Sequence, residues 1–262
     1  MKHLVDLDRF PLDRPDSREY AALVARCRDD LESGGMFNLE DFLRPQIAQR
    51  SADALKPAFQ SHAFTHKRRH NIYFSKDVPG LSADHPALRE FETVNHTLCA
   101  DQMTDSPVME IYDWRPLAHF LSRTMAKETL YPMRDPLARV NAMAYYDGEA
   151  LNWHFDRSEF TTTLLLQAPL SGGEFEYRTN LRSSRDPNFE GVARLLRGED
   201  GGVRHIRPRP GTLNVFRGND TPHRVTPVEG PRERIISVFS FFDRPDVMLT
   251  AEEQVGFYGR SA

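Results

Sequence analysis

Residues 152–167, with the sequence NWHFDRSEFTTTLLLQ, carry the strongest indication of both fold and function in this chain. The second half, residues 160–167, is rich in β-branched and apolar residues, which is the composition of a buried strand. In the first half, His154 and Asp156 are two residues apart, so their side chains share one face of an extended backbone, while Phe155 points the other way. The segment predicts a buried strand next to two polar side chains on a common face.

The sequence after residue 136 repeats this strand composition. Six other short segments are rich in β-branched and aromatic residues and are separated by Gly, Pro and Asp. They are ARVNAMAYY, GEFEYRT, VRHIRP, GTLNVFR, HRVTPV and RIISVFSFF. Seven or eight strands within about 110 residues indicate a barrel or a sandwich and not a βαβ fold.

The first part of the chain has a different pattern. Apolar residues recur at helical spacing in residues 17–34, 86–103 and 116–128, and Gly34 with Gly35 provides a C-cap for the first segment. We therefore predict an α+β fold that is mainly β. A mostly helical N-terminal support region, residues 1–136, packs on a β core formed by residues 137–262.

One insert interrupts the predicted β core. Residues 180–202 are rich in Arg, Asp and Gly, and this segment is longer than an ordinary hairpin loop. It is either a surface excursion or a lid over a site.

Composition excludes several classes of protein. Lys and Arg number 34 against 38 Asp and Glu, a net charge of −4, so no global field attracts nucleic acid or an anionic membrane. Cys27 and Cys99 are too few for a disulfide scaffold and suit a reducing compartment. No apolar run suits a signal peptide or a membrane helix. We expect a cytoplasmic, globular protein.

A third polar residue, His223, begins another predicted strand and joins His154 and Asp156 as a candidate metal ligand. Two imidazoles and one carboxylate can occupy one face of an octahedral metal and leave three positions open, as in non-haem Fe(II) oxygenases. The spacing alone is also typical of surface or capping residues, because a His-x-Asp pattern is common and the chain has ten histidines.

The motifs around these residues strengthen the metal-site interpretation. They are NAMAYYDG at 141–148, HFD at 154–156, the strand and Gly-Gly turn of 161–177, PGTLNVF at 210–216, HRVTPV at 223–228, Gly230 and Arg234. In this order they resemble the 2-oxoglutarate/Fe(II)-dependent dioxygenase superfamily, in its prolyl-hydroxylase-like branch, over roughly residues 137–245. The resemblance implies a double-stranded β-helix (jelly roll) and an Fe(II) centre held by His154, Asp156 and His223. It also implies 2-oxoglutarate and O₂ as co-substrates, with succinate and CO₂ as co-products.

The resemblance also places the co-substrate. Arg234 follows His223 on the next strand, where relatives hold the distant carboxylate of 2-oxoglutarate, and a guanidinium can donate two parallel hydrogen bonds to it. Arg232 would lie on the same face of the strand as Arg234 and is the alternative residue for this contact. Many relatives have Arg-x-Ser here, whereas Ser237 is three residues after Arg234 and lies on the opposite face of a regular strand.

Polar residues on other strands are further candidates for the co-substrate site. Tyr145 and Asn141 share one face of a predicted strand, and Tyr145 matches a tyrosine that hydrogen-bonds the co-substrate in relatives. A buried tyrosine that bonds elsewhere in the core is the alternative. Asn214 is a weaker candidate.

The candidates for the primary substrate flank the metal ligands. Arg157 follows Asp156, and Arg217 and Asn219 precede His223, so they fit the mouth of a barrel, although solvated loop residues have the same composition. The cluster HKRRH at residues 66–70 fits either an anion site or, more simply, a charged surface turn.

The local sequence is most similar to a subgroup of hydroxylases and halogenases of free amino acids. Related halogenases have a small residue where this chain has Asp156, which implies hydroxylation of an unactivated C–H bond in a small polar substrate. A hydroxylase of protein side chains and a non-catalytic jelly-roll module that keeps a metal are the alternatives. Arg234 argues against the second, because a structural metal site needs no carboxylate clamp.

Overall fold

The computed structural model describes residues 1–262. The helices are α1 (Arg18–Gly34), α2 (Pro45–His62), α3 (Pro107–Tyr112), α4 (Arg115–Thr124), α5 (Phe189–Arg197) and α6 (Ala251–Tyr258), with short 3₁₀ helices at Pro86–Leu88 and Ala100–Gln102. The strands are β1 (Met36–Leu39), β2 (Phe64–His70), β3 (Phe91–Cys99), β4 (Tyr131–Pro132), β5 (Val140–Tyr145), β6 (Leu151–His154), β7 (Thr161–Gln167), β8 (Ser171–Gly172), β9 (Phe175–Tyr177), β10 (Arg204–Ile206), β11 (Leu213–Phe216), β12 (His223–Val225), β13 (Val228–Glu229), β14 (Arg234–Phe239) and β15 (Phe241–Phe242).

Two antiparallel sheets dominate this mixed, mostly β structure. The larger has seven strands in the order β1-β11-β7-β14-β5-β3-β2, and the smaller has four in the order β10-β9-β12-β6. Strand β7 lies between β11 and β14, which explains why nearly all of TTTLLLQ is buried. Two further pairs, β8 with β13 and β4 with β15, complete the pairing.

The two faces of the large sheet have different roles. Residues of one parity, such as Leu164 and Leu166 on β7 and Ile235 on β14, enter a core of 40 buried residues that also includes α1, α2 and α4. Residues of the other parity, such as Leu165 and Ile236, line a cavity. Because side chains alternate along a strand, one face of the large sheet packs in the core and the other face lines the cavity. No helix has the length and apolar character that crossing a membrane requires.

The structure confirms most of the elements predicted from sequence. Helix α1 begins after Ser17, whose hydroxyl accepts from the Tyr20 amide, and ends at Gly35 with φ of 75°, a left-handed conformation that favours glycine. The helix predicted at 116–128 is present as α4 but ends at Thr124. All seven strand segments predicted after residue 136 contain strands.

The helix predicted at residues 86–103 is wrong. Only a short 3₁₀ turn precedes β3, which lies between β2 and β5 in the large sheet. The apolar residues of this segment fit a helical period, but Thr93, Asn95 and Thr97 are buried at a spacing of two. Pairing on both edges with β2 and β5 outweighs the helical spacing.

The first 136 residues are therefore less helical than expected. Strands β1, β2 and β3 all join the large sheet together with strands from the C-terminal part. The division into a support region and a core at residue 136 stays a prediction.

Candidate metal centre and its cavity

Three candidate ligands meet where the small sheet ends. His154 is the last residue of β6, His223 is the first of β12, and the two are direct partners in the antiparallel ladder. Nε2 of His154 lies 3.4 Å from Asp156 Oδ1, and Nε2 of His223 lies 3.6 Å from Asp156 Oδ2. One ligand atom from each residue falls within 4.8 Å of the others. This is the compact donor set that one metal ion requires.

Backbone carbonyls orient both imidazoles. Nδ1 of His154 is 2.9 Å from the Asn152 carbonyl, and Nδ1 of His223 is 3.0 Å from the Thr221 carbonyl. A carbonyl only accepts, so each Nδ1 carries the proton and each Nε2 keeps a free lone pair directed at Asp156. Burial and the neighbouring His154 lower the pKa of His223 to about 4, which keeps its ring neutral. Neutral imidazole is the form that binds metal.

Asp156 is held in its ionised form. Burial alone would raise the pKa of this carboxyl, but the positive charge that His223 and His154 carry when protonated, and a hydrogen bond donated by Thr161, hold the pKa well below its usual range. The Asp156 amide also donates to the Gly218 carbonyl over 3.0 Å. Two neutral imidazoles and one carboxylate fit a divalent metal such as Fe(II).

The main cavity extends from these ligands across the face of the large sheet that carries Leu165 and Ile236, and it has a volume of about 290 Å³. Arg234 lines it and is only 3% exposed. Its guanidinium carbon lies 5.9 Å from the Tyr145 ring, and no carboxylate forms an ion pair with it. Burial lowers the pKa of Arg234 to about 10, so it is still charged at neutral pH. A buried cation without a counter-ion is costly, so an anionic ligand would be favoured here.

Other polar groups of the main cavity also lack partners. The buried Thr212 Oγ1 and Asn214 Oδ1 have no hydrogen bond. The Tyr145 hydroxyl reaches only the Met143 sulfur, at 3.8 Å, and burial raises the pKa of Tyr145 to about 12, so it remains a donor. Unsatisfied buried polar groups that face a cavity indicate a polar ligand. Together with Arg234, they fit a dicarboxylate such as 2-oxoglutarate.

The structure distinguishes among the residues of β14. Arg234, Ile236 and Val238 line the main cavity, whereas Ser237 is fully buried on the other face. Arg232 precedes the strand and contacts Gln49 instead. Of the two candidate arginines, only Arg234 faces the metal ligands.

Asn141 does not enter the main cavity. Its amide nitrogen donates to the carbonyls of Leu137 and Val140, and its Oδ1 accepts from the Tyr258 hydroxyl at 2.9 Å. These bonds anchor helix α6 to β5. Asn141 and Tyr145 do share a face of β5. Along that face Asn141 lines a second cavity, whereas Tyr145 lines the main cavity.

The second cavity adjoins the main one and has a volume of about 850 Å³. Arg68 and Arg157 line both cavities, as do Asn95, Met143 and Phe257. Arg68 lies 4.2 Å from the Phe74 ring and its Nε is buried without a partner. Burial and the nearby charge of Arg157 lower the pKa of Arg68. Neither arginine pairs with a carboxylate, so the junction of the two cavities has unbalanced positive charge.

Arg68 belongs to the basic cluster of residues 66–70. The cluster is not the surface turn that we considered the simpler expectation, because it forms most of strand β2. The strand alternates, so Lys67 and Arg69 are exposed while Arg68 is partly buried.

The structure separates the three candidate substrate residues. Arg157 lines both cavities, but Arg217 and Asn219 line neither. Arg217 lies over the Phe160 ring at 5.6 Å, and Asn219 accepts a hydrogen bond from Arg182 through its carbonyl.

The insert of residues 180–202 does not cover the site. None of its residues lines either cavity. Its helix α5 packs through Val192, Leu195 and Leu196 in a cluster with Trp153 and Phe155. The insert therefore packs against β6 and the residue that follows it.

Comparison with known families assigns most of the chain to one family. The sequence model of a family described as Halogenase D matches residues 20–255. The chain belongs to the Halogenase D family. Among curated proteins, none matches this sequence.

Three solved structures illustrate the fold that this Halogenase D family member shares with other proteins. A prolyl-4-hydroxylase from Pseudomonas putida is 17% identical with a TM-score of 0.55, and the match covers 85% of this chain and 100% of that one. The α-ketoglutarate-dependent epimerase SnoN of nogalamycin biosynthesis is 10% identical with a TM-score of 0.58, covering 85% and 84%. HygX from Streptomyces hygroscopicus, solved with nickel and 2-oxoglutarate, is 13% identical with a TM-score of 0.52, covering 86% of both chains.

Sequence reasoning missed several residues that build this site. Thr161 and Gly218 contact Asp156 directly, and Arg182 contacts both ligand-bearing segments. A glycine five residues before His223 was the only available signal for Gly218. Nothing in the local pattern distinguished Arg182 from the other arginines of the insert.

Proposed function

We propose that this protein is an Fe(II)/2-oxoglutarate-dependent oxygenase with a double-stranded β-helix core. The observation that carries the proposal is the presence of two complementary sites in one cavity. An open three-ligand set of His154, Asp156 and His223 lies beside a buried arginine, Arg234, that has no counter-ion. A non-catalytic metal module would not keep an unpaired buried cation next to its metal.

The chain's own residues bind and orient the reactants. His154, Asp156 and His223 would hold Fe(II), Arg234 would bind the distant carboxylate of 2-oxoglutarate, and the Tyr145 hydroxyl would donate to the same ligand. Once bound, iron, 2-oxoglutarate and O₂ supply the oxidising chemistry, with succinate and CO₂ as co-products. The apolar walls of the main cavity, such as Leu165, Ile236 and Val238, exclude water from the reacting groups.

Asp156 favours hydroxylation over halogenation in this member of the Halogenase D family. Its carboxylate would hold the metal at the point where related halogenases have a small residue instead. It also adds a negative charge, which disfavours a halide at the same metal. Thr161 and Gly218 hold the carboxylate in this position.

The substrate that we propose is a small polar molecule with a carboxylate, such as a free amino acid or a derivative. Arg68 and Arg157 lie at the junction of the two cavities without any carboxylate partner. An anionic group bound there would keep the rest of the substrate within the cavity that contains the metal ligands. The larger second cavity leaves room for a side chain or a blocking group.

Succinate formation tests this proposal. Purified protein with Fe(II) and 2-oxoglutarate would be given free amino acids, their amides and esters, and short peptides. We expect an amino acid with a free carboxylate to raise succinate output well above the level without substrate, and its amide to be much weaker. Stimulation by peptides alone would favour a hydroxylase of protein side chains, and no dependence of succinate on iron would refute the proposed function.

A further inference from the structure

We propose that Arg182, from the insert, is a positioning residue that fixes the two ligand-bearing segments of the metal centre relative to each other. This inference rests on the metal centre of the proposed function. It assigns the insert a role beyond packing, because Arg182 contacts the residue between His154 and Asp156 and also the loop that precedes His223.

The first contact of Arg182 is with the segment of His154 and Asp156. Its guanidinium carbon lies 3.7 Å from the centre of the Phe155 ring, and Phe155 is the residue between these two ligands. The Tyr73 ring stacks with Phe155 at 5.8 Å and a 23° interplanar angle, and Arg182 lies 5.8 Å from it. A guanidinium stacked on an aromatic ring is attracted to its face. Arg182 and Tyr73 thus restrain Phe155, and with it the backbone that carries the two ligands.

The second contact is with the loop that leads to His223. Arg182 Nε donates to the Asn219 carbonyl at 2.7 Å, and its amide donates to the Asp220 carbonyl at 3.3 Å. The residue before Asn219 is Gly218, whose carbonyl accepts from the Asp156 amide. The residue after Asp220 is Thr221, whose carbonyl accepts from His223 Nδ1. One side chain therefore joins the segment with two ligands to the loop that orients the third.

The chemistry of Arg182 is suited to this task and not to ion pairing. It is partly buried, and it forms no ion pair. The planar guanidinium can stack and donate in its own plane at the same time. A lysine would retain the charge but would lose the stacking plane and the directed Nε donor.

Arg89 provides a matched control. Its guanidinium carbon lies 5.3 Å from the Phe91 ring, and it donates to the Leu196 carbonyl at 3.3 Å. It therefore makes the same two types of contact, but neither of them involves a segment with a metal ligand. A loss that is common to Arg182 and Arg89 variants would reflect general stability alone.

The test is a Co(II) titration of the full-length metal-free protein, with the thermal midpoint of unfolding measured in parallel. Groups that orient metal ligands typically contribute 10–100-fold to metal affinity. We expect Arg182→Met to weaken Co(II) binding about tenfold or more, Arg182→Lys to weaken it less, and Arg89→Met to leave it unchanged. Because Arg182→Lys is the milder change, it keeps the test informative if Arg182→Met unfolds.

The measurements distinguish a wrong role for Arg182 from a wrong assignment of the metal centre. Equal Co(II) affinity in wild type and both Arg182 variants would overturn the role of Arg182, while the metal centre would stand. An equal loss of affinity in Arg89→Met would do the same, because it would indicate a general effect on stability. If His223→Ala bound Co(II) as tightly as wild type, the metal centre and the proposed function would both be wrong.

Discussion

Gly218 approaches Asp156 so closely that no side chain fits between them. A Cβ atom on Gly218 would lie 2.2 Å from Asp156 Oδ2 and 2.7 Å from Asp156 Cβ. The backbone of Gly218 also accepts the hydrogen bond from the Asp156 amide. The glycine is therefore required for the position of the carboxylate, not for an unusual backbone angle.

Gly218→Ala is expected to displace the Asp156 carboxylate and to weaken metal binding by about tenfold or more. Calorimetric titration with Ni(II) measures this directly. Gly201→Ala is the control, because a Cβ at Gly201 meets nothing within 4 Å. Unchanged affinity in Gly218→Ala would show that the carboxylate does not need this position to bind metal.

Arg234→Leu is expected to weaken 2-oxoglutarate binding strongly and to leave metal affinity nearly intact. Removal of one partner from a buried, charge-assisted contact typically costs about 2–5 kcal/mol. Calorimetric titration of 2-oxoglutarate into the Ni(II)-loaded protein measures the effect. Arg232→Leu is the matched control, since Arg232 contacts Gln49 and not the main cavity. A stronger effect in Arg232→Leu than in Arg234→Leu would reverse the assignment.

With the substrate that the succinate assay identifies, wild type in excess chloride is expected to give a hydroxylated product. Under the proposed function, the Asp156 carboxylate would hold the metal and leave no place for a halide. Mass spectrometry of the products distinguishes an added oxygen from an added chlorine. A chlorinated major product would mean that Asp156 is not a ligand during turnover. In Asp156→Gly we expect loss of hydroxylation, with little gain of chlorination because the surrounding residues are not arranged for a halide.

His70 predicts a specific pH dependence of stability. Its Nδ1 is 2.9 Å from the Asn71 carbonyl and its Nε2 is 2.8 Å from the Thr93 hydroxyl, so the neutral ring donates at Nδ1 and accepts at Nε2. Burial lowers its pKa from 6.5 to about 4. Between these values the unfolded chain binds more protons than the folded one, so the free energy of unfolding falls as the pH falls from 6.5 to 4.

The His70→Gln variant isolates this contribution. Urea unfolding of the metal-free protein across that pH range is expected to show a loss of up to about 3 kcal/mol in wild type from this residue. The variant should lose correspondingly less, because glutamine does not titrate. Parallel curves for the two proteins would mean that His70 keeps its ordinary pKa in the folded state.

The sequence predicted the parts of the structure that depend on local pattern. Six of the seven residues of β7 are apolar or β-branched, and those of α1 have a clear period with caps, so both were found. Segment 86–103 was misread because Thr93, Asn95 and Thr97 point polar groups into the interior, which removes the apolar alternation of a strand. Local pattern cannot show that a buried face is lined by polar side chains.

The meeting of the three candidate metal ligands could also be predicted from local sequence. His154 and Asp156 are neighbours on one segment, and the motifs around His223 identify its strand. Asn141 seemed suitable for the co-substrate site because it shares a strand face with Tyr145. Its hydrogen bonds to Tyr258 and two carbonyls keep it elsewhere, and the bond to Tyr258 depends on where α6 packs. Arg68 and Arg182 owe their positions to contacts with Phe74 and Phe155, which tertiary packing alone brings near them.

The most direct test of the account is an anaerobic titration of the purified protein with Fe(II) and 2-oxoglutarate, followed by visible absorption. Wild type is expected to develop the metal-to-ligand charge-transfer band of 2-oxoglutarate bound to Fe(II). His154→Ala and His223→Ala are expected to lack it while retaining the circular dichroism of the folded chain. A wild-type band in both variants, or its absence from wild type, would contradict the assignment of this site.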